Sequence, residues 1–398
     1  GHALETYARV VLEGLDAPSR EQRLPLSVTV VIDQSGSMSG DKIESARESA
    51  LQVLEQLSPG DIASVIAFSS GAEVLVPRLV VGKDSLTDAR RAILSLRANG
   101  GTDMVSGLRK AEERAVALFG EGRVNRVLLL SDGQPDSEGG LKEIVAGLAR
   151  RGVHTTTLGI GRDYNEDLMA RLADAGLGNY WFVESPSQMV NIFTKELNTL
   201  ASVVAKEAVV TVAMKDGVEI VDVYGWNVSR GKESVAIPVG DVYGGKRSEI
   251  LVRLRVPGSE TGTAHELIEV TVSYHDALAG RARRVSRPLV ASFTRDEDAV
   301  HASRDLNVAS KAEEVRTALA LEQASAAVAR GDAEEARRIS SEQRQRVSSF
   351  AASAGAAYAP AAAEMQSALY ELDDATEGKS DVAVAQKKAK AAARALKR

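Results

Sequence analysis

Asp33, Ser35 and Ser37 fall at alternate positions where an apolar run, Leu26-Ser-Val-Thr-Val-Val-Ile-Asp33, stops. Three oxygen side chains so spaced at a strand end make a cradle for a cation if the chain leaves the sheet there and turns, a bend that Gly36 permits. Carboxylate and hydroxyl oxygens with no sulfur among them suit a hard ion, Mg²⁺ first, then Mn²⁺ or Ca²⁺. Two further stretches carry related chemistry. Gly100-Gly101-Thr102-Asp103-Met104 sets a hydroxyl between a glycine pair and a helical pattern, and Val127-Leu-Leu-Leu-Ser131-Asp132-Gly133 is another buried-type strand ending on an acid. Loops at the carboxyl ends of neighbouring parallel strands face one crevice. The candidate metal ligands are therefore Asp33, Ser35, Ser37, Thr102 and Asp132. Asp103 suits a helix N-cap, and Gln134-Pro135-Asp136 suits the shaping of its own loop.

These loops need a scaffold, and the chain supplies an alternating one. Buried-type strands are expected over 26–33, 61–68, 124–130, 153–159 and 179–183, with helices near 41–57, 84–97, 104–119, 138–151, 165–175 and 187–204. The segment 73–81 can fold back as an antiparallel edge strand. Such alternation predicts a doubly wound, mostly parallel six-stranded sheet covered by helices on both faces. Past about residue 205 the helical period stops. The stretches 209–214, 218–223, 234–237, 247–256, 266–274 and 281–292 are short and rich in β-branched residues, as in an antiparallel β-sandwich. Residues 4–14 alternate in the same manner, so the N-terminal segment is expected to join that sandwich, with the metal domain inserted between. From about 297 alanine rises and charges pair at helical spacing. Gly331-Asp332 separates two helical stretches, 315–330 and 333–349, Ala356-Ala-Tyr-Ala-Pro360 opens another, and a basic helix fills 381–398. The expected units are thus 1–24 (a strand joining the sandwich), 25–200 (the metal domain), 205–296 (the β-sandwich) and 297–398 (a helical bundle).

Composition narrows the function. The 398 residues carry a net charge of −6, which gives a nucleic-acid partner no electrostatic support. No run reaches the roughly 18–20 apolar residues of a membrane-spanning helix. Cysteine is absent, which removes thiolate catalysis and sulfur-ligated zinc. His265-Glu266-x-x-Glu269 lacks the second histidine of a zinc-protease helix, and Gly159-Ile-Gly161 lacks the rest of a dinucleotide fingerprint. A Mg²⁺-dependent phosphohydrolase would want a second acid two residues after Asp33, where Ser35 stands. No P-loop, Gly-x-Ser-x-Gly elbow or Cys–His pair is present, so the chain reads as non-enzymatic. The lysines from Lys387 onward suit a solvated helix face.

The three loops, in this order, resemble the metal-ion-dependent adhesion site of von Willebrand factor type A domains. The likeness spans residues 25–200 and continues through Thr157-Leu-Gly-Ile-Gly161, Tyr164-Asn-Glu166 and Gly178-Asn-Tyr-Trp181. These last stretches are similar to bacterial members, which resemble inter-α-trypsin inhibitor heavy chains and homologues of calcium-activated chloride channels. The resemblance implies the strand order 3-2-1-4-5-6. It also implies that Ser35, Ser37 and Thr102 hold the ion directly or through water while Asp33 and Asp132 act largely through water. One coordination position stays open for an Asp or Glu of a protein partner, which makes the chain an adhesion or scaffold module. An alternative reading is an adaptor for a multiprotein assembly or an ATPase, acting through the C-terminal helices. The chain opens on Gly1-His2-Ala3 without an initiator Met, so a removed leader is compatible with it. An extracytoplasmic or cell-surface setting is favoured over a cytoplasmic one.

Overall fold

The computed structural model describes residues 3–19, 21–132, 134–161, 164–215, 217–259, 261–377 and 381–397. Gly1, His2 and Gly133 lie outside the described residues. The chain opens with β1 (Leu4–Glu13) and then enters an alternating unit. Its elements are β2 (Leu26–Asp33), α1 (Asp41–Gln56), β3 (Ile62–Phe68), β4 (Ala72–Val80), α2 (Leu86–Leu94) and α3 (Met104–Ala117), followed by β5 (Val124–Ser131), α4 (Leu141–Ala149), β6 (Val153–Ile160), α5 (Glu166–Ala175), β7 (Leu177–Val183) and α6 (Met189–Ala201). The sheet order is β4-β3-β2-β5-β6-β7, with every pairing parallel except β3 with β4. Counted within this unit, that is 3-2-1-4-5-6, with the antiparallel edge that the sequence pattern predicts. Every residue of β2, β5 and β6 is buried, as expected for parallel strands covered on both sides. Val28, Val30 and Ile32 pack under α1, α2 and α6. Val31 and Phe68 face α3, α4 and α5.

The second unit comprises β8 (Val203–Met214), β9 (Glu219–Val223), β10 (Ser229–Arg230), β11 (Ser234–Tyr243), β12 (Arg247–Val256), β13 (Ala264–Asp276) and β14 (Arg281–Ser292). Two antiparallel sheets, β1-β12-β9 and β10-β11-β8-β13-β14, enclose a core that includes Val210, Val212, Ile237, Val252 and Ile268. β1 pairs with β12 from Leu4↔Val256 to Glu13↔Arg247. The alternating unit is therefore flanked in sequence by strands of one sandwich. Its two chain connections meet at the turn between β11 and β12. The Gly14 amide donates to the Lys246 carbonyl at 2.9 Å, and the Gly244 amide donates to the Ser202 carbonyl at 2.7 Å.

β8 starts at Val203, six residues earlier than the pattern suggests, because no glycine or proline marks the change from helix to strand there. β11 runs on past Pro238 to Tyr243, since the proline sits at a register shift that requires no ladder amide from it.

A buried polar cluster ties the two units together. The Arg126 guanidinium (β5) donates through Nη2 to Asp241 Oδ2 at 2.9 Å and to the Tyr243 hydroxyl at 3.1 Å. His154 Nδ1 (β6) lies 3.0 Å from the same carboxylate oxygen. Burial alone would push the Asp241 carboxyl up, but His154, Arg126 and Lys206 together hold it below the usual carboxylate range.

The remaining helices are α7 (Glu297–Ala302), α8 (Leu306–Ala329), α9 (Ala333–Ala354), α10 (Ala359–Thr376) and α11 (Val382–Lys397). Leu321, Val347, Met365, Leu369 and Leu372 fill the bundle core, and α11 returns to pack on α8. The outer face of β12 is covered by α8, where Leu251 meets Ala312 and Val315.

The basic side of α11 is not solvated as its composition suggests. Lys387 Nζ reaches Glu166 at 2.9 Å and the Tyr164 carbonyl at 2.8 Å, and stands 3.9 Å from the Tyr164 ring centre. Lys390 bridges Glu166 and Asp167, and Arg394 pairs with Asp174 at 2.6 Å. Desolvation would raise the Glu166 carboxyl, yet the hydrogen bonds from Lys387 and Lys390 outweigh it and hold the group down at about 2. A carboxyl depressed in the folded state stabilises fully above its unfolded value and loses that contribution as pH falls through the folded one. The double change Lys387→Gln/Lys390→Gln is therefore expected to cost roughly 1–2 kcal/mol at pH 6, with solvent screening allowed for. The gap to the parent, followed by urea midpoints, should close as pH falls from about 4.5 toward 2. A gap that is constant with pH would remove Glu166 from the contact.

Candidate metal centre

β2 ends on Asp33, whose carboxylate is fully buried. One oxygen accepts the Ser35 amide at 2.8 Å and the other accepts the Ser131 hydroxyl at 2.6 Å. The chain then makes a 3₁₀ turn over Gly36–Met38. Gly36 is not in the left-handed region, so the bend does not depend on glycine in the way its sequence position suggests. Its amide instead donates to the Gly100 carbonyl at 3.1 Å, tying the first loop to the second. The turn brings the Ser35 and Ser37 hydroxyls 3.0 Å apart, and Ser37 Oγ donates to Asp132 Oδ1 at 2.8 Å. Asp33, Ser35, Ser37 and Asp132 thus form one continuous hydrogen-bonded chain at the carboxyl ends of β2 and β5.

Thr102 reaches the same crevice by a different route. Gly100 adopts φ +73°, a conformation that glycine takes without strain. The Asp103 amide donates to the Ser69 carbonyl at 2.6 Å. The third loop closes over the second: the Thr102 amide donates to Asp136 Oδ2 at 3.1 Å, and the Asp136 amide donates to the Thr102 carbonyl at 3.0 Å. Thr102 is buried, at 7 % exposure, and among the described residues the bonds that link the chain of four run through Ser35 and Ser37 and leave out the Thr102 hydroxyl. Asp103 caps α3 by accepting the Ser106 amide. Gly107 lets α3 lie against Phe68, since a Cβ there would come within 2.8 Å of the ring.

Two residues of the centre escape a reading of motifs. Ser131 precedes the acid that marks β5, and only the pairing of β2 with β5 sets its hydroxyl on Asp33. Lys42 lies in the first turn of α1, and its ammonium is seated on Asp132 Oδ2, with a further bond to the Ser37 carbonyl at 3.3 Å. Burial, followed at a distance by the nearby Asp132 charge, pushes the Asp33 carboxyl up against the opposing hydrogen bonds from Ser131 and Ser35. A buried carboxylate calls for a counter-charge or hydrogen bonds: Asp132 has the Lys42 ammonium, whereas Asp33 is met by hydrogen bonds from Ser35 and Ser131. The donor set fits a hard divalent ion. Among the described residues no group of three or more His, Cys, Asp or Glu side chains could hold a metal, so this hydroxyl-rich centre is distinct from a carboxylate cage or an imidazole site.

The family model for the von Willebrand factor type A domain matches residues 27–195. With the sheet order and the three stitched loops, that decides it. Residues 27–195 are a von Willebrand factor type A domain. The chain is 31% identical over 209 residues to the protein YfbK of Escherichia coli, covering 51% of this chain and 36% of that one. It is 31% identical over 207 residues to inter-alpha-trypsin inhibitor heavy chain H4 of Bos taurus, covering 48% of this chain and 22% of that one. The chain thus spans about a third or less of these two relatives. In fold it is similar to a solved von Willebrand factor type A protein from Catenulispora acidiphila, with TM-score 0.71 and 21% identity, covering 85% of this chain and 87% of that one. That likeness extends the shared architecture well beyond the A domain. No helix among the described residues is long and apolar enough to cross a membrane.

Proposed function

We propose that this chain is a non-enzymatic, metal-dependent protein-binding module, an adhesion or scaffold component that captures a partner's Asp or Glu side chain through a divalent cation. The observation that carries the reading is the continuous chain Asp33–Ser35–Ser37–Asp132, set in a crevice at the strand ends. Ser35, Ser37 and Thr102 would hold the ion directly or through water, with Asp33 and Asp132 behind them, and Mg²⁺ is favoured over Mn²⁺ and Ca²⁺. The bound ion would supply positive charge that attracts an incoming carboxylate. The chain's own part is to hold the hydroxyls in register, which the bond from Ser131 to Asp33 and the clasp of Asp136 on Thr102 both do. Against hydrolysis, the side chain two residues after Asp33 is a serine whose hydroxyl is turned to Ser37.

Mg²⁺ at a hundredfold excess over its Kd is expected to stabilise the protein by about 2.7 kcal/mol, read as a rise in melting temperature. Asp33→Ala and Asp132→Ala should each abolish that rise. Partner capture from an extract should fail when a chelator replaces Mg²⁺. A partner retained equally under both conditions would move recognition away from the crevice.

A further inference from the structure

Lys42 is the second residue of α1. A cation there stands against the helix dipole, which favours negative charge in the first turn. Asp41 and Glu44 follow that preference, whereas Lys42 departs from it. Its ammonium instead lies over the crevice, on Asp132 and on the Ser37 carbonyl. The Asp132 side chain is fully buried, while that of Lys42 is only 26 % exposed. Gly161 lies beside it: a Cβ at that residue would stand in ordinary contact, 3.6 Å from Lys42 Cε and 3.7 Å from Nζ. Resting there, the lysine occupies Asp132 Oδ2, the carboxylate oxygen of the crevice that Ser37 leaves free.

We propose that Lys42 is a tethered cation that occupies the A domain's metal centre in the ion-free state, so that a divalent ion enters only by displacing its ammonium from Asp132. This rests on the metal-binding reading above and adds a competitor to it. The consequence is twofold. The ion-free fold is protected from the cost of an unpaired buried carboxylate. Ion affinity is also lowered by the free energy of the Lys42–Asp132 contact, so the centre loads only above a threshold concentration.

The test is calorimetric titration of Mg²⁺ and Mn²⁺ into the full chain and its Lys42→Met variant, with melting curves in chelator and in saturating Mg²⁺. Lys42→Met should bind each ion about tenfold tighter or more, given the strength of a unit charge removed at contact distance. It should melt below the parent in chelator and level with it in saturating Mg²⁺. Lys42→Gln, which keeps a hydrogen-bonding group without the charge, should show the same tightening and serves as the readout if the methionine variant does not fold without the ion. An ion that binds the variant while the parent shows no heat would support the proposal in its strongest form. Equal or weaker binding by both variants, with a parent that binds, would overturn the competitor and leave the metal centre standing. No binding by parent or variants would overturn both.

Discussion

Asp241→Ala is expected to cost roughly 3–5 kcal/mol of stability, because it leaves the Arg126 guanidinium buried without its counter-charge. Both side chains are almost entirely out of solvent, at 0% exposure for Arg126 and 3% for Asp241. Nε and Nη1 of Arg126 have no hydrogen-bond partner among the described residues, so its charge is met through Nη2 alone. His154 would lose its bond to the same oxygen. Because the cluster joins β5 and β6 of the A domain to β11 of the sandwich, the loss should appear as a loosened joint as well as a lower urea midpoint. Limited proteolysis should then release a fragment close to the A domain's boundaries. Asp241→Asn, which keeps hydrogen-bonding capacity but not charge, should fall between parent and alanine. A cost below about 1 kcal/mol for the alanine variant would show the joint to be held by packing instead.

Deleting residues 3–13 should be more damaging still. That change removes β1, whose pairing with β12 spans Leu4–Glu13, and takes Ala8 and Leu12 out of the sandwich core. β12 would become an open edge with apolar residues beneath it, a template for association between chains. The expected product is aggregated or oligomeric, with the A domain alone surviving protease treatment. Size-exclusion chromatography that returned a monodisperse, cooperatively unfolding chain would show that the first strand is dispensable.

How much of this was readable from the chain depended on how local each cause is. The bounds of β2 and β12 coincide with their apolar or alternating runs, because burial on both faces or one imposes its own periodicity. β8 was misread as helix at its start, where Val203 and Val204 satisfy either period. α8 begins at Leu306, nine residues before its expected start, capped by Asp305, and its opening turns pack Val308 and Ala312 on Leu251 of β12, a distant contact that the local pattern does not reveal. β10 is two residues long and carries no pattern at all. In the crevice, Asp33, Ser35, Ser37 and Asp132 were legible because strand ends in a parallel sheet converge by topology. Ser131 and Lys42 were not, because their roles depend on which strand lies alongside and where a helix turn aims a side chain. Arg126 and Asp241 stand 115 residues apart, and nothing near either one announces the other.

The meeting of both chain connections at the turn between β11 and β12 has a mechanical consequence. A domain strung on one flexible linker swivels under tension, so the direction in which it holds a captured molecule is lost. Here a pull on the crevice would run down the parallel strands to the opposite end of the sheet and divide between two covalent tethers, one through Gly14 and one through Ser202, fastened side by side on one hairpin. Two adjacent fastenings resist torque as well as traction. On the proposed binding role, anything held at the crevice would keep a fixed heading relative to the sandwich, and force would pass into β12 and β1, which lie antiparallel along ten paired residues and would have to be sheared past one another to part.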